Sequence, residues 1–166
     1  MNLTTLALMV VSAISTGSLL AAQTPNWEAV YYADAYADHY GVPRALVRAI
    51  IAQESGWNRL ALSWKGAAGL MQLMPDTAAQ YGVKDPFSVT ENLRGGIHYL
   101  ADLLRHFHGE MRLAVAAYYG AKDLDSKKLS YSNPDVVVYV ESVRFRYLRE
   151  LRTEAARNNP GQTGGQ

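Results

Sequence analysis

Apolar residues along this chain recur mostly three and four positions apart, the spacing of amphipathic helices. From Trp27 to Tyr40, Trp27, Tyr31, Ala35 and Tyr36 share one helical face, and Gly41 is placed to stop the helix. Pro43 suits a helix's first turn and opens a second helix, with Leu46, Val47, Ile50 and Ile51 inward. That helix runs out near Glu54-Ser55-Gly56. Residues 57–73 lose the period; with two tryptophans, Gly66 and Gly69, they read as a structured loop with room for a short hairpin. Pro75-Asp76 opens a short helix ending at Gly82, and Asp85-Pro86-Phe87 is a turn. A long helix then starts at a Ser88 or Thr90 cap and runs to about His108, with Leu93, Ile97, Leu100, Leu104 and Phe107 as its stripe. Met111 to Tyr119 is a short apolar helix, and residues 120–133 are polar and loop-like. Asn133-Pro134 begins the last helix, with Val136, Val137, Val140, Val143, Tyr147 and Leu151 inward. Its valine cluster would also suit a strand, but the polar stripe Glu141, Arg144, Arg149 and Arg152 follows helical spacing.

The ends depart from this pattern. Glu28 is the first charged residue, and Leu6 to Ile14 is an apolar run broken by Ser15-Thr16-Gly17-Ser18. Ala21-Ala22 then precede Gln23-Thr24-Pro25, so residues 1–22 read as a secretory leader cleaved near Ala22. The leader has no Lys or Arg at its start, and Leu20 is large for the third position before the cut. The alternative is a retained anchor, for which the run is short and polar-interrupted. Residues 23–157 form one expected domain and 158–166 an expected disordered tail, rich in Asn, Gly and Gln.

The 166 residues are 49% hydrophobic and 19% charged, a globular balance. A formal net charge of +1 argues against a nucleic-acid binder. The lack of cysteine excludes disulfides, a thiol nucleophile and thiolate metal sites. His98, Asp102 and His106 share a helix face, but a solvated face with an i, i+4 pair explains them better than a metal. No cofactor is implied, and a monomer is expected.

Glu54 is the candidate for chemistry. It follows Ala49-Ile50-Ile51-Ala52 at the end of a helix. Burial and the partial negative charge of a helix C-terminus both favour a protonated carboxyl. A glutamic acid still protonated near neutrality is what a glycosidase needs as general acid. An exposed helix-end glutamate is the equal alternative. Glycines 66 and 69 permit close backbone approach. Gln72 offers an amide to a sugar, although this stretch alone suits core packing as well.

Four segments together carry a resemblance. They are Glu54-Ser55-Gly56-Trp57, the glycine-rich run from Gly66 to Pro75, Glu91-Asn92-Leu93-Arg94-Gly95-Gly96-Ile97-His98-Tyr99-Leu100, and Ala114-Val115-Ala116-Ala117-Tyr118. In order and spacing they resemble the soluble lytic transglycosylase family, over roughly Asp38 to Leu148. The resemblance implies a mainly α, lysozyme-like single domain with little or no β structure. It implies cleavage of the β-1,4 bond between N-acetylmuramic acid and N-acetylglucosamine in peptidoglycan glycan strands. The muramyl C6 hydroxyl attacks C1 and leaves a 1,6-anhydro end, with Glu54 first acid and then base. The lack of an acidic residue between Glu54 and Asp76 agrees with a single-carboxylate mechanism, where retaining glycosidases pair two. On the same resemblance Ser55 orients the site, Met71 and Gln72 belong to the glycan groove, and Tyr118 lies near the acid. Tyr139 matches the tyrosine of the family's Tyr-Val motif, and Asp135 stands where the family often has Glu. The small size and leader resemble the transglycosylases that accompany type III and type IV secretion or conjugation machinery. Such machinery is therefore a candidate partner, and the periplasm the expected compartment, with no stable membrane insertion after leader cleavage.

Two positions depart from the family pattern. Where Ala-Tyr-Asn-Ala-Gly is usual, the chain has Ala117-Tyr118-Tyr119-Gly120-Ala121, so Tyr119 replaces an asparagine amide. Asp135 is one methylene shorter than Glu. A hydrolase of the goose-type-lysozyme kind on the same fold, and a peptidoglycan-binding or assembly protein with a weakened site, are the alternatives.

Overall fold

The computed structural model describes residues 27–122, 124 and 130–159. The expected leader, most of the tail and part of the 120–133 loop lie outside the described residues. Among the described residues six helices follow in order: α1 Trp27–Tyr40, α2 Arg44–Glu54, α3 Pro75–Gln80, α4 Val89–His106, α5 Met111–Tyr119 and α6 Pro134–Asn158. Pro43 caps α2, Met74 and Pro75 open α3, and the Ser88 hydroxyl caps α4 by accepting the Glu91 N–H. The Asn133 side chain and Pro134 start α6, so the valine cluster is helical. Left-handed Gly120 closes α5, a conformation that costs glycine no Cβ clash.

Helix α2 lies at the centre, packed on α6 and α1, while α4 packs on α1, α5 and α3. Its residues 45–51 are all buried. Leu46, Ile50 and Ile51 meet Leu93, Ile97 and Leu100 of α4 and Val136, Val140 and Val143 of α6 in one core, which also takes Leu70 and Met71 from the loop. Arg48, only 9% exposed, donates to the Asp34 carboxylate of α1 at 2.9 Å and stands 3.9 and 3.8 Å from Glu150 and Glu154 of α6. One guanidinium thereby ties three helices.

Two expected faces are corrected. The inward face of α1 is Ala29, Ala33 and Ala37, whereas Trp27 and Tyr31 are exposed and Ala35 is on the outer side. Alanines at every fourth position let α1 approach its neighbours more closely than rings would. On α6, Val137 and Leu151 are exposed, because the buried stripe is Val136, Tyr139, Val140 and Val143. The room for a hairpin within 57–73 is taken up by two isolated antiparallel bridges, Leu62 to Ala68 and Ala68 to Leu73.

Candidate active site

Glu54 ends α2. The Ser55 N–H closes the helix on the Ile51 carbonyl, and Gly56 and Trp57 then take left-handed backbone that turns the chain away. The side chain is therefore carried from the end of a helix buried over residues 45–51 toward Tyr139 of α6. Burial pushes its pKa from an ordinary 4.5 up to about 7, against the opposing effect of the Tyr139 hydroxyl, which hydrogen-bonds Oε1. No other carboxylate among the described residues contributes to this shift. The sequence expectation of a raised pKa agrees with this, and burial is its physical source.

Tyr139 comes from the buried stripe of α6 and is 7% exposed. Burial and the adjacent Glu54 hold its hydroxyl well above the usual phenol range, so it stays a donor. Its ring stacks on Tyr119 with centroids 4.6 Å apart. Tyr118 does not bond to Glu54. It donates to the Met71 carbonyl at 2.8 Å, and its acidity is lowered by burial and by Glu54 nearby. Tyr99 lies against its ring at 5.2 Å.

The loop after Glu54 is held at several points. The Ser55 hydroxyl donates to the Leu70 carbonyl at 2.8 Å, tying the end of α2 to the loop. Gln72 has left-handed backbone, and its amide donates to the Ala61 and Gly69 carbonyls, both at 3.0 Å. Its two amide protons are thus spent within the loop, leaving its oxygen for an outside donor. The Met71 side chain is fully buried, its sulfur so close to Gly96 that a Cβ there would lie 2.6 Å away. Met71 therefore presents no side-chain surface to a ligand, and its contribution to a groove is positional.

Sequence reasoning gave no role to Asn92. It is 1% exposed, accepts the Met71 N–H at 2.8 Å and donates to the Ala68 and Pro86 carbonyls at 3.0 and 2.9 Å. Its packing requires glycine at 69, where a Cβ would meet the Pro86 oxygen at 2.1 Å. An asparagine in the first turn of a helix, beside the core residue Leu93, was the available signal. Gln53 and Ser142 were also missed. Ser142 donates to the Gln53 amide oxygen at 2.6 Å, joining α2 to α6 one residue before the acid. Together with Tyr119, Asp135, Val138 and Tyr139 they line a recess of about 290 Å³. The structure thus brings Glu54, Tyr139, Tyr118, Tyr119 and Asp135 to one region, with Ser55 and Gln72 fixing its loop wall.

The His98 face is structural. His98 stacks on Tyr40 at 4.6 Å, and Asp102 accepts the Tyr81 hydroxyl at 2.8 Å and pairs with Arg105. No cluster of three or more His, Cys, Asp or Glu suited to a metal occurs among the described residues.

The class this defines is a helical domain with a half-buried, readily protonated carboxylic acid between two packed helices. Residues 31–135 match the family model of the transglycosylase SLT domain, and the chain belongs to that family. It is 37% identical over 94 residues to a transglycosylase of Enterobacteria phage PRD1, covering 57% of this chain and 34% of that protein. It is 40% identical over 119 residues to membrane-bound lytic murein transglycosylase F of Yersinia enterocolitica, covering 64% of this chain and 24% of that one. Among solved structures it resembles an inactive glutamate-to-glutamine mutant of the lytic transglycosylase Slt from Pseudomonas aeruginosa. That likeness has a TM-score of 0.64 and 25% identity, over 76% of this chain and 24% of the other. The chain spans about a third or less of the length of these relatives.

Proposed function

We propose that this chain is a peptidoglycan lytic transglycosylase whose general acid, and then base, is Glu54. One observation carries the reading: a carboxyl with a pKa of about 7 is buried where the family's glutamate motif falls, and its only direct side-chain partner among the described residues is a phenol. The Tyr139 hydrogen bond occupies Oε1, which leaves Oε2 to carry the proton toward a glycosidic oxygen. After that transfer the same hydroxyl stabilises the carboxylate, which can then take a proton from the muramyl C6 hydroxyl as it closes on C1. A 1,6-anhydro end is the expected product. The Pseudomonas neighbour is an inactive glutamate-to-glutamine mutant, which agrees with dependence on a glutamate in that enzyme.

On this reading Tyr119 and Asp135 contact the glycan from the α6 side and Gln72 from the loop side, while Ser55, Tyr118 and the Met71 backbone hold these walls in place. Residues 1–22 export the chain to the periplasm, where a monomer acts on the sacculus, with secretion or conjugation machinery as a candidate partner. The test is mass spectrometry of muropeptides released from purified sacculi by the chain and by Glu54→Gln. Anhydro-muramyl ends from the unaltered chain alone would support the proposal. Reducing ends would make it a hydrolase. Sacculus binding without turnover, unchanged in Glu54→Gln, would make it a binding protein, the outcome that the Tyr119 replacement motivates.

A further inference from the structure

The loop beside the acid carries a surface that the reaction does not explain. Along residues 60–64 exposure alternates with the period of an extended strand. Leu60, Leu62 and Trp64 point outward, at 58%, 66% and 91% exposed. The intervening Ala61 and Ser63 face the protein. The Ala61 carbonyl accepts the Gly69 N–H at 2.9 Å and the Gln72 amide at 3.0 Å, and the Ser63 hydroxyl accepts the Ala67 N–H at 2.9 Å. The Gly66 N–H closes the tip on the Ser63 carbonyl at 3.0 Å. The outward aliphatics and indole are therefore held out by a hydrogen-bonded frame, the reverse of the polar-out alternation of a water-facing strand.

The charges within this segment of the chain have one sign. Arg59 precedes it, Lys65 ends it with its ammonium 5.2 Å from the Trp64 ring centre, and no Asp or Glu lies between Glu54 and Asp76. A sugar strand would use the flat indole but has no use for two branched aliphatics beside it. An anionic lipid surface suits all of them: leucines enter the acyl boundary, tryptophan sits at headgroup level, and the flanking cations meet the phosphates. We infer that residues 59–65 form a rigid finger that docks this domain on an anionic phospholipid surface. Three apolar side chains and two cations make a shallow, reversible contact rather than an anchor. Among the described residues no helix is long and apolar enough to cross a membrane.

The absence of cysteine makes this directly testable. Leu62→Cys in the full chain gives a unique site for a polarity-sensitive fluorophore. Vesicles of equal parts phosphatidylglycerol and phosphatidylcholine should shift the label's emission to the blue, and a quencher attached to the lipid chains should extinguish it. Vesicles of phosphatidylcholine alone, or anionic vesicles in 0.5 M salt, should give much less, since surface attraction is screened. Trp64→Ala, whose ring supports no core, should weaken the labelled chain's affinity for the vesicles about tenfold, a change of roughly 1.4 kcal/mol. A label that stays in water while the chain is bound to anionic vesicles would overturn the inference. So would a label that responds to purified glycan strands and not to vesicles, which would give the finger to the polysaccharide. None of these readouts requires turnover, so the outcome is independent of the proposed reaction.

Discussion

On the proposed mechanism, Glu54 carries opposite demands from catalysis and from stability. Its pKa is raised on folding, so the folded state holds a proton that the unfolded state releases between pH 4.5 and about 7. Its neutral form is accommodated at no electrostatic cost below pH 4.5, and stability falls as pH rises through 7. The full difference is on the order of 3 kcal/mol. Glu54→Gln should therefore abolish turnover and yet be more stable than the unaltered chain at pH 8, with the gap closing by pH 4; thermal melts at the two pH values check this. Activity that requires the protonated acid should decline above about pH 7. Tyr139→Phe removes the hydrogen bond that favours the carboxylate, so the alkaline limb of the pH–rate profile should move upward while kcat falls about tenfold or more. An unmoved limb with a reduced rate would mean that Tyr139 serves only as packing.

At the level of elements, the 57–73 loop is set by contacts that lie far apart in sequence. The apolar run before Glu54 was readable, and so were the helix starts at Pro43, Pro75, Ser88 and Pro134, because each depends on neighbours within a turn or two. The inward face of α1 was not, since large rings outrank alanines on any hydrophobicity scale. Which of them is buried depends on how closely the facing helix approaches. The exposed Val137 and buried Tyr139 of α6 tell the same story. Within the candidate site, Glu54 stood out by its apolar helix-end setting, whereas Tyr139 was singled out only through motif resemblance. Asn92 escaped because its role exists only once Met71, Ala68 and Pro86 surround it. Asn92→Ala should leave the Met71 N–H unpaired in the core and loosen the loop. The expected loss is about 2 kcal/mol in denaturant unfolding, with faster amide exchange across 68–73. Gly96→Ala should collide with the Met71 side chain and cost about 1–3 kcal/mol. If it melts like the unaltered chain, the contact is looser than described.

Over the molecule as a whole, the acid and its phenol sit on α2 and α6, the two helices that pack together along the centre. Arg48 pins that pair to α1 through Asp34, close to Glu150 and Glu154. Arg48→Ala strands partly buried carboxylates on two helices and should cost about 3 kcal/mol, the lower end for a broken buried pair, because these carboxylates keep some contact with water. It should also shift the Glu54–Tyr139 register and lower kcat more than an equally destabilising change in α3. The helix count, the mainly α architecture and the family's order of segments were legible in the sequence. The mutual placement of α2, α1 and α6 was not, since a lone arginine on an apolar helix does not reveal its partners.

The acidity of Glu54 is governed by dryness and not by a neighbouring charge. Counter-ions that gather at the surface have little to screen there. The midpoint of the kcat–pH curve should therefore hold steady as ionic strength rises. An acid of this kind is insensitive to the salt around it: its working pH is written into the packing of α2 against α6.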